Sequence, residues 1–221
     1  MKKLFASVLA GALLLMGTQA YAQLSVGAGY LNSTTTTNND SKEGMNGFYV
    51  GGNYNIPVVA GLGVAPGLYG TFSFGSRSVS ESAAGVTVSG KAAGSEIDIN
   101  VPVNVNYKFN LGRDLNLVVY LGPIFQYALS SKVKYSYNTN SGVGQAVLDE
   151  LVKNGVLPSQ SDNFAGDDYN RFNVYLGGGV GIDVAGIQVL LGYDHTLTNM
   201  CKISNTTMGR SHIRIGVGYS F

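Results

Sequence analysis

Ser95-Glu96-Ile97-Asp98-Ile99-Asn100-Val101-Pro102-Val103-Asn104-Val105-Asn106-Tyr107-Lys108-Phe109 alternates without a slip: every odd position from Ile97 to Phe109 is apolar, and every even one from Asp98 to Lys108 is polar or proline. An extended strand sends successive side chains to opposite faces, so a period of two builds one apolar and one polar face, whereas a helix would scatter the same residues around its axis. The pattern recurs along the chain. Toward the C-terminus it runs through Leu115, Leu117, Val119, Leu121, Pro123, Phe125, Tyr127 and Leu129, then Phe172, Val174, Leu176, Val180, Ile182 and Val184. Ile187, Val189, Leu191 and Tyr193 continue it, and Ile213, Ile215, Val217, Tyr219 and Phe221 end it. Toward the N-terminus the same phase marks Leu24, Val26, Ala28 and Tyr30, then Phe48, Val50, Tyr54 and Ile56, then Leu62, Val64, Leu68, Phe72 and Phe74, giving eight predicted strands.

The connections between them alternate between long and short. Residues 33–45, 76–95, about 130–171 and about 198–211 form the long ones, and 57–61, 110–114 and 185–186 the short ones. Long and short connections therefore leave from opposite ends. Eight antiparallel strands with tight turns at one end and long polar loops at the other predict an all-β, up-and-down transmembrane β-barrel with short periplasmic turns and long extracellular loops. A soluble eight-stranded barrel of the lipocalin kind shares the alternation. Composition separates the two. No Asp, Glu, Lys or Arg falls on the apolar face, whose only interruptions are Gly52, Pro66, Gly70, Pro123, Gly178 and His195. The opposite face is rich in Gly, Asn, Ser and Tyr, with Asp98, Lys108, Asp183, Asp194 and Arg214 as its charged members. A water-facing surface carries far more charge, so the apolar face is assigned to lipid and the small-residue face to a narrow interior. Tyr30, Phe48, Tyr54, Phe72, Phe74, Tyr107, Phe109, Phe125, Tyr127, Phe172, Tyr193, Tyr219 and Phe221 lie toward strand ends on the lipid phase, where aromatic girdles sit.

The remaining composition bounds the function. Charged residues make up 12% of the 221, against about 25% in soluble domains. With 14 Lys+Arg against 13 Asp+Glu the chain lacks the cationic surface of a nucleic-acid binder, and a single cysteine, Cys201, rules out an internal disulfide or a multi-cysteine metal site. Met1-Lys2-Lys3, the apolar run Leu4 to Met16 and the small-x-small end Ala20-Tyr21-Ala22 read as a cleaved secretory signal over residues 1–22, leaving a barrel domain over 23–221.

The signal, the eight alternating strands and the closing strand His212-Ile213-Arg214-Ile215-Gly216-Val217-Gly218-Tyr219-Ser220-Phe221 resemble the small outer-membrane β-barrel proteins, the OmpA-type and OmpX-type domains of the porin family. The resemblance implies a place in the cell outer membrane, with outer-membrane lipid and lipopolysaccharide around the barrel. It also implies that the barrel-assembly machinery reads Tyr219 and Phe221 as an insertion signal. No residues follow Phe221, so a peptidoglycan-binding domain is not expected.

Side chains are expected to fill an eight-stranded lumen, so a closed structural barrel is the leading reading and a narrow channel or carrier for small solutes the alternative. Asp194 and Arg214 are placed to pair across neighbouring strands near the long-loop end, Lys108 and Asp183 form a second cluster near the turns, and Asp98 is the fifth candidate for such ion pairs. Catalysis is not expected. His195 falls on the lipid phase, His212 is the only other histidine, and no Gly-x-Ser-x-Gly elbow occurs. Cofactors and metals are likewise not expected, since Asp162, Asp167 and Asp168 do not match calcium-loop spacing. Recognition of any extracellular partner falls to the loops. In the third long loop Val143, Val147, Leu148, Leu151 and Val152 recur at helical spacing between a capping Ser141 and a terminating Gly155, predicting a short amphipathic helix packed on neighbouring loops or the barrel mouth. Val147, Leu148, Leu151 and Val152 are its candidate interaction residues.

Overall fold

A computed structural model describes residues 23–38, 42–83, 86–166 and 168–221; the predicted signal over 1–22 lies outside the described residues. The chain forms β1 (Gln23–Thr37), β2 (Lys42–Val59), β3 (Leu62–Ala83), β4 (Val86–Gly112), β5 (Leu115–Thr139), α1 (Gly142–Lys153), β6 (Gln160–Asp162), β7 (Phe172–Val184), β8 (Ile187–Thr196) and β9 (Met208–Ser220). Eight of the strands are hydrogen-bonded in the order β4-β3-β2-β1-β9-β8-β7-β5, and β5 pairs back to β4 to close the ring. All neighbours run antiparallel. β1 meets β9 from Ser25↔Ser220 to Thr37↔Met208, and the amide of Phe221 donates to the carbonyl of Leu24 at 2.8 Å, so both chain ends lie on one seam.

The tightest turn shows how local sequence fixes this arrangement. Val184 pairs with Ile187 across a two-residue loop in which Ala185 has φ 49° and Gly186 φ 88°. Two successive positive φ values are the geometry whose twist matches a hairpin, and glycine adopts the second without steric cost. Asp183 accepts a hydrogen bond from the Gly186 amide at 3.2 Å and braces the turn.

Burial is inside-out relative to a water-soluble domain. Asp98, Asp194, Gln126, Asn173 and Ser33 are among the most buried side chains, while Val50, Leu121 and Val217 on the outside are 56%, 57% and 61% exposed. Water on that outer face would leave its apolar surface unburied, whereas lipid solvates it, so the distribution matches a membrane barrel rather than the lipocalin alternative.

Two long connections differ from expectation. Residues 76–95 and the first part of 130–171 are strand: β3 and β4 stay paired from Phe74↔Ser95 to Ala83↔Val86, and β4 and β5 from Ser95↔Lys132 to Val88↔Thr139. Nine further residues on β3 and β4 and seven on β5 carry this sheet about 30 Å along the strands past Phe74 at ~3.3 Å per residue. Beyond the girdle both faces of a strand meet water, so the apolar alternation fades although the pairing continues. The other long connections are also shorter than read, since β1 runs to Thr37, β2 begins at Lys42 and β9 begins at Met208. β6 extends the projecting sheet by pairing with Lys132–Lys134. One bulge adjusts the phase. Ile97 pairs with Ser130 and Asp98 with Ala128, which leaves Leu129 as an extra residue, so Ser131 turns inward above it where odd residues faced lipid below.

Candidate functional site

Inward-facing side chains cross the lumen in three tiers. At the turn end, the Lys108 ammonium lies 3.4 Å from Asp183 Oδ2 and donates to Gln23 Oε1 at 2.8 Å, and Gln188 donates to the same Asp183 oxygen at 3.1 Å. Asn106 donates to Asn55 at 2.7 Å beside them. This tier includes a cavity of about 80 Å³ bounded by Asn53, Asn104, Lys108, Gln188 and Arg214, large enough for a few waters.

The middle tier sets large rings against glycine. Tyr49 and Tyr69 meet edge to face with centroids 5.9 Å apart, and Asn53 donates to the Tyr69 hydroxyl at 2.9 Å. A Cβ placed on Gly216 would collide with the Tyr49 hydroxyl, and one on Gly179 or Gly192 would collide with that of Tyr120. Glycine at these three positions is therefore the space the rings occupy. Arg214 reaches into this tier, its guanidinium carbon 5.9 Å from the Tyr49 ring centroid, and donates to Asp194 Oδ1 at 2.7 Å.

The upper tier holds the most enclosed charge. Arg210 forms a fork with Glu96, with Nη1 on Oε1 and Nη2 on Oε2 at 3.2 Å, while its Nε donates to Thr35 Oγ1 at 2.9 Å. Each of the three guanidinium nitrogens has a partner, the geometry that makes an enclosed charge tolerable. Ser131 donates to Glu96 at 3.3 Å, His212 Nδ1 lies 3.8 Å from Asp194, and the Tyr175 ring stacks on His212 with centroids 5.0 Å apart. The Tyr175 hydroxyl donates to Gln126 at 2.9 Å. Above this floor opens a cavity of about 580 Å³ whose wall includes Met45, Tyr135, Phe164, Tyr169, Met200 and Met208.

The structure thus brings Asp194 to Arg214 and Lys108 to Asp183. Asp98 differs: among the described residues it joins no ion pair, and its Oδ1 has no hydrogen-bond partner. It follows Glu96 by two residues on the same face of β4, and the single guanidinium nearby is spent on Glu96. Sequence reasoning left out Arg210 because it put residues 198–211 in a loop, and it left out Glu96 and His212, which stand at the very ends of their alternating stretches, because the polar face was counted from Asp98 and ended at Arg214. The usable signal was the polar phase itself, since Glu96-x-Asp98 and Arg210-x-His212-x-Arg214 continue it by one or two steps.

Outside the lumen, His195 Nδ1 lies 2.9 Å from Ser211 Oγ, which also receives the Tyr193 hydroxyl at 3.0 Å. This pair sits on the lipid phase, and the adjacent carboxylate, Asp194, points the opposite way to Arg214. Among the described residues no carboxylate is paired with His195. Tyr219 and Phe221 pack edge to face at 5.0 Å beside the β1–β9 seam. α1 spans Gly142–Lys153; the Ser141 hydroxyl accepts from the Gly144 amide at 3.3 Å, and the helix ends where Gly155 adopts φ 73°. Its stripe is only partly covered. Leu148, Leu151 and Val152 are half-buried, Val147 is exposed, and the anchoring contacts run to the end of β5, where Gln145 donates to the Tyr137 carbonyl at 3.2 Å and accepts from the Thr139 amide at 3.1 Å. Cys201 is buried and unpaired.

A closed antiparallel ring of eight strands with an apolar exterior, a polar interior and one elongated end is the architecture of an outer-membrane β-barrel. The chain belongs to the outer membrane protein beta-barrel domain family, whose sequence pattern matches residues 6–221, and its place is the cell outer membrane. Among solved structures it is similar to Ail, the attachment invasion locus protein of Yersinia pestis, in complex with the heparin analogue sucrose octasulfate, at 15% identity over 90% of this chain and 99% of that one, TM-score 0.39. Neisserial surface protein A matches at 12% identity over 90% and 97%, TM-score 0.46. The outer membrane protein OprG from Pseudomonas aeruginosa matches at 8% over 90% and 96%, TM-score 0.40. No curated protein matches the chain. Each likeness concerns the fold, and a shared fold does not decide what a barrel does.

Proposed function

We propose that this protein is a non-enzymatic barrel with a mainly closed lumen whose work is done at the cell surface by the projecting β3–β5 sheet and the loops. The observation that carries the reading is the division of the long strands. Within the membrane their inward side chains meet across the lumen in three hydrogen-bonded tiers, and beyond it the same strands rise about 30 Å at ~3.3 Å per residue. β2 begins at Lys42 and lies beside β3 as far as Arg77, and among the described residues no strand pairs with that edge of β3 above it, so Val79–Ala83 presents a row of backbone donors and acceptors of the kind an extended partner segment engages. On this reading residues 1–22 are the cleaved export signal. Tyr219 and Phe221 serve the barrel-assembly machinery, and outer-membrane lipid and lipopolysaccharide contact the exterior.

Planar-bilayer recording of the refolded protein tests the closed lumen. The expected result is no reproducible unitary conductance. A steady conductance that changes in Asp194→Ala or Arg214→Ala would overturn it in favour of a narrow solute channel, the reading that the two cavities at opposite ends of the lumen favour.

A further inference from the structure

The outward face of the projecting sheet carries a group of cations that the barrel's packing does not use. Reading across the strands, Phe74, Ser95 and Lys132 stand in one row, Ser76, Ala93 and Lys134 in the next, and Ser78, Lys91 and Ser136 in the third. Rows two residues apart rise by about 7 Å, so Lys132 is level with the girdle ring of Phe74, and Lys134 and Lys91 stand about 7 and 14 Å above it. All three lysines are exposed, and among the described residues none lies within 4.0 Å of a carboxylate. The acid facing them is Asp162 on β6, in register with Lys132, and its Oδ1 accepts from the Phe164 amide. Glu43 belongs to Arg77. Ser80 and Ser89 extend the face with a hydroxyl pair 2.9 Å apart.

Lys134 stands one row above Lys132 and Lys91 one row above that, about 14 Å from the first to the last along the strands, so three like charges share one face and the arrangement asks for an anion. Its height says which kind. The face is continuous with the lipid-facing side of the same strands, and its lowest cation stands at the aromatic belt, the depth of lipid headgroups. The other side of the barrel is different. There the same boundary is formed by Asn32 and Asn46, hydrogen-bonded at 2.9 Å, and by the hydrogen-bonded Tyr193–Ser211–His195 chain. The cations therefore mark one sector rather than a ring.

We propose that Lys91, Lys132 and Lys134 form a binding face for the phosphate groups of an anionic lipid of the surrounding outer leaflet. The proposal rests on the outer-membrane placement and is independent of whether the lumen conducts. Its test uses the full barrel refolded in phosphatidylcholine nanodiscs supplied with a bis-phosphorylated glucosamine lipid or its dephosphorylated counterpart, with co-purifying lipid counted by native mass spectrometry. The wild-type protein is expected to retain the phosphorylated lipid roughly tenfold over the other, and the Lys91→Gln, Lys132→Gln, Lys134→Gln triple variant to lose that preference, since the cations that hold the phosphates are gone. Heat-modifiable gel mobility confirms that the variant is folded in each case. Equal retention of both lipids by the wild type, or an unchanged preference in the folded triple variant, would overturn the proposal. So would displacement of the lipid by micromolar soluble inositol hexakisphosphate, which would make the face a receptor for soluble polyanions.

Discussion

The same three strands, β3, β4 and β5, pass through two media, and two arginine–glutamate pairs show what the passage changes. Arg210 and Glu96 meet inside the barrel with side chains 9% and 7% exposed, whereas Arg77 and Glu43 meet at the base of the projecting sheet with side chains 68% and 65% exposed. The chemical groups are identical. In the lumen they are cut off from water and each relies on the other, but at the surface water and salt screen both, so breaking the first pair is costly and breaking the second is not. The medium, not the number of contacts, sets what such a pair contributes.

The largest expected effect is therefore Arg210→Ala, which leaves Glu96 enclosed without its cation and with Asp98 beside it. Loss of one partner of a buried pair costs about 3–5 kcal/mol, against about 0–1 kcal/mol for Glu43→Ala. Urea unfolding of both variants in lipid vesicles, followed by heat-modifiable mobility, measures the two side by side. Similar midpoints would break the contrast.

Legibility in the sequence followed the same boundary. Where one face met lipid and the other the lumen, alternation disclosed the strands, their phase and the ring, as in Ile97 to Phe109. Above the girdle it disclosed nothing, because Ser76–Ser82 and Thr87–Ser95 see water on both faces and have no contrast to display. That blindness hid Glu96 and Arg210, the most enclosed ion pair, at the margin of apparent loops. Leu129 was hidden for another reason: a bulge is a property of two strands in register, and one strand read alone cannot reveal it. Both ends of α1, by contrast, were legible from Ser141 and Gly155, since capping depends on residues adjacent in the chain.

A second contrast concerns glycine. In the lumen a Cβ on Gly216 would collide with the Tyr49 hydroxyl and lie 2.9 Å from the Ala28 carbonyl oxygen, whereas on Gly90, in the projecting sheet, it would meet its nearest neighbour, Tyr137 Cδ1, at 4.0 Å. Gly216→Ala is expected to destabilise by about 1–3 kcal/mol through overpacking. Gly90→Ala is expected to be neutral or slightly favourable, because alanine loses less backbone freedom in a strand. The same unfolding assay separates them, and an undisturbed Gly216→Ala would mean that the Tyr49 ring has room to move aside.

The smallest effect belongs farthest from the membrane. Ser141→Ala removes the hydroxyl that accepts from the Gly144 amide, and loss of such a cap costs a helix about 1 kcal/mol. α1 is anchored chiefly to the end of β5 and buries none of its residues, so the cost stays local. Amide hydrogen exchange is expected to quicken about fivefold across 142–153, consistent with 1 kcal/mol of easier opening, with no change in the unfolding midpoint of the barrel. A shift in that midpoint would show α1 coupled to the tiers below, and the division between a membrane body and an independently opening surface element would have to be withdrawn.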